Sequence, residues 1–126
     1  MGSGDTRTLG ERAEQTALRY LLSHGLKSIT RNFRSRGGEI DLIMLHDDCL
    51  VFVEVRYRGS MRFAPPAVTV DRKKQRKILQ TAALFLAREQ RYTRHTIRFD
   101  VVSITGSGHD TIEWIQDAFR PNDSAL

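Results

Sequence analysis

The chain has 126 residues, enough for one domain and too few for two, and 40% of them are hydrophobic, which suffices for a core. Its 20 lysines and arginines outnumber its 15 aspartates and glutamates, which favours a polyanionic partner such as nucleic acid or an anionic membrane surface, although solubility alone also explains the excess. No apolar stretch approaches the ~20 residues of a membrane span, and the single cysteine, Cys49, excludes an internal disulfide and predicts a reducing, cytoplasmic location.

The first predicted element is a helix over about residues 9–24. Thr8 and Glu11 fit a capping box at its start, apolar residues then recur at helical spacing, and Gly25 closes it. Residues 1–7 hold no apolar signal segment and are expected to be disordered or left over from cloning.

Three strands are predicted next, over residues 26–34, 39–45 and 50–57. The first is followed by a glycine turn, and the other two are joined by a tight turn over residues 46–49. Because the second and third strands are apolar at successive positions, both are expected to be buried on both faces.

A loop over residues 58–68 leads to a long helix predicted over residues 70–90. Its apolar stripe comprises Ile78, Leu79, Ala82, Ala83 and Leu86. A buried strand over 98–105 follows, then a short edge strand over 111–115 and a flexible tail over 121–126.

A long helix between the third and fourth strands allows a parallel crossover. The sequence therefore predicts an α/β fold, a mixed sheet flanked by helices in a single domain over residues 8–120, in the order α-β-β-β-α-β with a further short strand.

Two acids interrupt the apolar strands, Asp41 in the second and Glu54 in the third. If Asp47 and Asp48 form a two-residue hairpin turn, Asp41 faces Glu54, and Glu39 faces Arg56. Like charges placed so are destabilising unless a cation lies between them, and a hard divalent ion with oxygen ligands resolves the conflict. The alternative is an ordinary buried network in which arginines pair with both acids.

The pattern resembles the PD-(D/E)xK nuclease superfamily, in which an aspartate on one strand precedes Glu-x-Lys on the next. More closely, the chain is similar to the YraN family of small bacterial proteins, which are similar to archaeal Holliday junction resolvases. The matching segments are Ala13-Glu14 through Tyr20-Leu21, Arg31-Asn32-Phe33-Arg34, Gly38 through Ile43, Val51 through Arg56, Ala67-Val68 with Lys74, and Arg98 through Val102.

The resemblance implies a restriction-endonuclease-like core with a Mg²⁺ or Mn²⁺ site. Asp41 and Glu54 match the metal-binding acids, and Glu14 matches a first-helix acid that resolvase-like members place beside the metal. Without the resemblance, Glu14 reads as an exposed helical charge.

Arg56 departs from the pattern, because the family motif places a lysine two residues after the glutamate. A lysine can lose its proton and help to activate water, whereas arginine stays protonated and can only stabilise developing charge. Glu14, Asp41, Glu54 and Arg56 are thus the candidate catalytic residues, and a lysine of the second helix (Lys73, Lys74 or Lys77) is a candidate substitute.

A basic surface supports contact with nucleic acid, expected to be DNA. The second helix begins with five cations in six residues, 72–77. Positive charge at the start of a helix is unfavourable to the helix dipole, and contact with phosphate would explain it. The alternative is an ordinary solvated helix face. The predicted nucleic-acid contacts are Arg31, Arg34, Arg36, Arg58, Arg72, Lys73, Lys74 and Lys77. Asn32 and Arg62 lie beside these cations, with Phe33, Tyr57 and Phe63 as stacking groups.

Three functions fit this pattern. The first is a metal-dependent endonuclease, acting on branched DNA if the resolvase similarity extends to substrate. The second is a nuclease-fold binding module without turnover, which Arg56 favours. The third is a dimeric scaffold whose acids are structural; a two-fold homodimer also suits a resolvase. The four histidines lack ligand spacing for zinc, and no nucleotide-binding glycine loop is present.

Overall fold

The computed structural model of the protein describes residues 8–58, 70–106 and 111–121. Its elements are α1 (Leu9–Ser23), β1 (Lys27–Ser35), β2 (Gly38–His46), β3 (Cys49–Tyr57), α2 (Arg72–Arg88), β4 (Thr96–Thr105) and β5 (Thr111–Phe119), with a 3-10 turn (Gln90–Tyr92) before β4. The predicted α/β fold is confirmed. Most of the predicted loop over 58–68, with Arg62, Phe63 and Ala67-Val68, lies outside the described residues, as do residues 1–7 and 122–126.

The five strands form one sheet in the order β1-β2-β3-β4-β5. β3 and β4 are parallel, as the crossover through α2 predicted, and the other neighbouring pairs are antiparallel. One face of the sheet packs against buried residues of α1 and the other against those of α2. The sheet is therefore covered on both sides, which explains why the central strands are apolar at successive positions.

Helix capping decides where both helices begin. The predicted capping box of α1 is confirmed, because the backbone N–H of Glu11 donates to Thr8 Oγ1 at 3.1 Å and that of Thr8 donates to Glu11 Oε1 at 2.8 Å. α2 begins two residues later than predicted, because the side chain of Asp71 accepts from the backbone N–H of Lys74 at 2.8 Å and caps the helix there.

The predicted apolar stripe of α2 is wrong at one position. Ala83 is exposed, and Phe85 is buried instead, with its ring against Phe33 and Phe52. Phe85 follows Ile78 by seven residues, which places both side chains on the same helix face.

The predicted register of the hairpin between β2 and β3 is confirmed for the residue pairs between His46–Cys49, beside the turn, and Leu42–Val53. Asp47 in the turn has a left-handed φ of 55°, a conformation that aspartate tolerates better than most residues.

The last strand, β5, is nine residues long rather than the predicted five, because a bulge near its C-terminal end lets the pairing with β4 continue to Phe119. Neither helix within the described ranges is both long and apolar enough to span a membrane.

Candidate functional site

An open cleft of about 480 Å³ lies where β2 begins and β3 ends, between the first turns of α1 and α2. Its walls combine acids with lysines. The charged residues that line it are Glu14 of α1, Glu39 and Asp41 of β2, Glu54 of β3, and Asp71, Lys73, Lys74 and Lys77 at the start of α2.

Asp41 lies at a break in the sheet. The β2–β3 ladder stops at Leu42–Val53, and the β1–β2 ladder pairs Arg31 with Leu42 and then Phe33 with Ile40, passing over Asp41. Instead of a backbone carbonyl, the Asp41 carboxylate accepts the Val55 N–H at 2.8 Å. The predicted pairs Asp41–Glu54 and Glu39–Arg56 are therefore not part of the ladder. The backbone N–H of Val55, which would continue the ladder, donates to the Asp41 side chain instead.

Three carboxylates converge in the cleft. Glu14, Glu39 and Asp41 each place one oxygen within 4.8 Å of the others. Burial raises the pKa of Asp41 from its ordinary value of 3.8 to about 8, and the nearby charge of Glu54 adds to the effect. Burial also raises the pKa of Glu14, although a hydrogen bond with Asn32 partly opposes the change. The charged groups that act most on Asp41 are acids, so an arginine network does not explain its burial.

Glu54 has a different partner. Its buried side chain, 7% exposed, lies 2.5 Å from the Nζ of Lys74, measured from Oε2. Of the two acids predicted as metal ligands, only Asp41 thus belongs to the carboxylate trio, while Glu54 forms an ion pair with α2 on the opposite wall of the cleft.

The other predicted site residues are spread more widely. Arg56 is half-buried on β3 and is not among the described residues that line the cleft. On β1, Arg31 donates to Gln15 Oε1 at 3.3 Å, and the Nε of Arg34 lies 3.6 Å from Glu39 Oε1. Arg36 and Arg72 are exposed, and the backbone N–H of Arg58 donates to the carbonyl of Ile104 at 2.8 Å. The structure therefore brings together Glu14, Asp41, Glu54, Lys73, Lys74 and Lys77, whereas none of the predicted arginines is among the described residues that line the cleft.

Glu39 is the acid that the interpretation of the sequence missed as a site residue. A usable signal was present, because residues two apart on a strand share a face and Glu39 lies two before Asp41. The contact between Lys74 and Glu54 carried no comparable signal, since it joins two elements separated by the residues of the crossover.

These features define a class: a mixed five-stranded α/β domain, compatible with a restriction-endonuclease-like fold, with an acid-lined cleft at one end of its sheet. The model of "Uncharacterised protein family UPF0102" matches residues 13–104, so the chain belongs to that family, and the resemblance to the YraN family is confirmed. A UPF0102 protein of Pseudomonas putida strain W619 is 41% identical to this chain over 122 residues, which cover 95% of this chain and 99% of the relative. Another UPF0102 protein, from Coxiella burnetii strain RSA 331, is 45% identical over 115 residues, which cover 91% of this chain and 94% of the relative.

Proposed function

We propose that the protein is a divalent-metal-dependent endonuclease that hydrolyses phosphodiester bonds in DNA, with Mg²⁺ or Mn²⁺ as its cofactor. The observation that carries the proposal is the composition of the cleft, where three converging carboxylates face three lysines. The acids can hold a cation, and the lysines can hold the phosphate on which that cation acts.

The carboxylate trio suits a small hard cation. Glu14, Glu39 and Asp41 would hold the ion, because each places a carboxylate oxygen within 4.8 Å of the other two. Carboxylate oxygens are the protein ligands that Mg²⁺ prefers. The raised pKa of Asp41 supports this proposal, because a buried carboxylate among acids needs either a proton or a cation.

The opposite wall supplies the charge that a nucleic acid requires. Lys73, Lys74 and Lys77 follow the capped start of α2, and all three line the cleft. Lysines bind phosphate oxygens as point charges. Here they would orient a phosphodiester between α2 and the cation that the acids hold.

The reaction is a displacement at phosphorus. The oxygen of a water molecule forms a bond to phosphorus, the bond from phosphorus to a sugar oxygen breaks, and that oxygen leaves with the bonding electrons and gains a proton. The water loses a proton to solvent. When bound, Mg²⁺ or Mn²⁺ supplies a Lewis acid that stabilises the charge developing on the phosphate.

Arg56 favours a second candidate, a nuclease-fold module that binds DNA without cleaving it, because arginine cannot take a proton from water. A dimeric scaffold with structural acids is the third, and metal titration separates it from the other two.

Cleavage of a panel of branched, single-stranded and duplex DNAs with Mn²⁺ tests the proposal. We expect at least one substrate to be cut, and the Asp41→Asn variant, purified identically, to cut none. DNA binding without cleavage by the folded wild-type protein would support the binding module instead. Equal cleavage by Asp41→Asn would reveal a contaminating nuclease.

The basic wall can be tested through salt dependence. Neutralising Arg72, Lys73 and Lys77 should flatten the slope of log affinity against log salt by roughly 0.9 for each lost phosphate contact on duplex DNA. The matched control neutralises Lys27, Arg91 and Arg94, which lie near the opposite end of the sheet, where β1, β3 and β4 begin. An equal change in both triple variants would show that α2 makes no particular contact.

A further inference from the structure

A small hollow of about 220 Å³ adjoins the cleft, on the face of the sheet that α1 covers. Its lining residues are Leu9, Arg12, Ala13 and Thr16 of α1, Tyr57 of β3 and Ile104 of β4. Ala13 and Tyr57 line the cleft as well, so they form a wall that the hollow and the cleft share. A group bound in the hollow would therefore be a direct neighbour of a group bound in the cleft.

The hollow exposes apolar surface. Leu9 is 55% exposed and Tyr57 is 40% exposed, and they are two of the five large hydrophobic side chains that are exposed within the described ranges. The other three, Leu22, Leu84 and Ile97, do not line the hollow. Single exposed apolar side chains are ordinary, whereas two of them at one hollow beside a charged cleft are typical of a binding surface.

The size and chemistry of the hollow suit a nucleobase. Its volume is below the roughly 300–1,000 Å³ of pockets that enclose drug-sized ligands, so it suits one ring system rather than a peptide segment. Tyr57 offers an aromatic ring, on which any base can stack. Arg12 and Thr16 lie four residues apart on one face of α1, and their side chains supply donors for the polar edge of a base.

A base can enter the hollow only by leaving the base stack of its DNA. The bases of a regular duplex are paired and stacked inside the helix, and moving one of them out costs free energy. The cost is least for a base that is already unpaired. A hollow of this kind therefore favours DNA in which a nucleotide beside the bound phosphodiester has no pairing partner.

We propose that the hollow is a base-binding subsite, in which Tyr57 stacks with an unpaired base whose phosphodiester lies in the cleft. The substrate class is then DNA with an unpaired nucleotide at the bound phosphodiester, as in a bulge or a single-stranded flap. A fully paired duplex or a fully paired branched junction is a poorer substrate. This inference rests on the proposed function.

The test uses three DNAs of one sequence: a paired duplex, the same duplex with one additional unpaired nucleotide, and that bulged duplex with the base of the additional nucleotide removed. Fluorescence anisotropy measures their affinities with Ca²⁺ in place of Mn²⁺, to avoid cleavage. We expect wild type to bind the bulged duplex about tenfold more tightly than either of the others, the size of one base–aromatic stack. The abasic DNA controls for the bend that a bulge introduces.

Variants assign the preference to the ring. Tyr57→Leu should bind the bulged and abasic DNAs equally, whereas Tyr57→Phe, which keeps the ring, should retain the preference of wild type. Leu84→Ala is the control, because it removes an exposed apolar side chain outside the hollow, and it should also retain the preference. With Mn²⁺, wild type should cut the bulged duplex faster than the paired one, at a phosphodiester flanking the unpaired nucleotide.

The outcomes separate the two proposals. Equal affinity of wild type for the bulged and abasic DNAs would overturn the subsite and leave the endonuclease standing, and this comparison needs no variant to fold. An equal loss on both DNAs in Tyr57→Leu would also overturn the subsite. A preference for the unpaired base that depends on Tyr57, in a protein that cuts no DNA with Mn²⁺, would keep the subsite and overturn the endonuclease. A folded wild-type protein that binds none of the three DNAs overturns both.

Discussion

Two buried aspartates in this sheet have opposite surroundings. Asp100 on β4 is fully buried and Asp41 on β2 is 8% exposed, and each lies where the regular pairing of the sheet is interrupted. Asp100 accepts from the Nε and an Nη of Arg98, both at 2.8 Å, from the indole N–H of Trp114 at 2.8 Å, and from the backbone N–H of Asp117 at 2.9 Å. Asp41 has a backbone donor, Val55, and three acids around it.

The difference shows how one fold can compensate the charge of one buried acid and leave the charge of another uncompensated. The donors around Asp100 satisfy both of its carboxylate oxygens, and one of them is the cationic Arg98, so no partner from outside the protein is needed. The acids around Asp41 penalise its charge, and a cation from outside the protein would stabilise it. Burial alone is therefore uninformative, and the identity of the neighbouring groups decides what a buried carboxylate can do.

Replacing Asp100 should cost the most. Asp100→Asn removes the charge that compensates the largely buried guanidinium of Arg98, whose side chain is 17% exposed. We expect the free energy of unfolding to fall by about 3 to 5 kcal/mol, as when one partner of a buried ion pair is lost. Urea denaturation measures this. A variant as stable as wild type would mean that the network around Asp100 is not structural.

Replacing Asp41 should act in the opposite direction and depend on pH. The folded pKa of about 8 exceeds the ordinary 3.8, so the folded state binds the extra proton between these values. The stability that the protonated Asp41 contributes to the metal-free wild type should therefore be fully present below about pH 4. It should be lost as pH rises through 8, with the free energy of unfolding falling by up to about 1.4 kcal/mol per pH unit.

The Asp41→Asn variant should lose this decline, because an amide does not titrate in this range, and it should be more stable than wild type near pH 8. Urea denaturation at several pH values, in buffer with a chelator, measures both. Parallel stability profiles for the two proteins would contradict the raised pKa of Asp41.

Removing one donor from Asp100 should have the smallest effect of the three. Trp114→Phe keeps an aromatic ring against Tyr20 but deletes the indole N–H. We expect a loss of about 1 to 2 kcal/mol, because the other donors to Asp100 remain. Trp114 is the chain's single tryptophan, so circular dichroism must replace fluorescence in following unfolding. A loss as large as that of Asp100→Asn would show that this one bond dominates the network.

Much of the fold could be predicted from the sequence because local signals agree with one another. The capping box at Thr8, the continuous apolar runs of β2 and β3 and the two-residue turn between them all act over a few residues. The hairpin register brought the predicted strands together correctly up to Leu42 and Val53, beyond which a side-chain hydrogen bond ended the ladder.

The site was harder to predict because its contacts are tertiary. The resemblance pointed to Asp41 and Glu14, but not to Glu39 as the third carboxylate or to Lys74 as the partner of Glu54. Asp100 illustrates the same limit in part. Arg98, two residues before it, is a local signal, because Asp41 has Glu39 at the corresponding position. The other donors, Trp114 and the backbone of Asp117, are brought to Asp100 only by the fold.

The most direct test of metal binding by the carboxylate trio is calorimetric titration of the wild-type protein and Asp41→Asn with Mn²⁺. The titration is made near pH 8, because a metal ion displaces the proton of Asp41 more easily there than at lower pH. We predict that wild type binds the ion and that Asp41→Asn, although folded, does not. Binding to wild type should weaken as pH falls, because the metal must then displace the proton from Asp41. Absence of binding to folded wild type at millimolar Mn²⁺, or an identical titration curve for Asp41→Asn, would contradict the assignment of a metal site to these carboxylates.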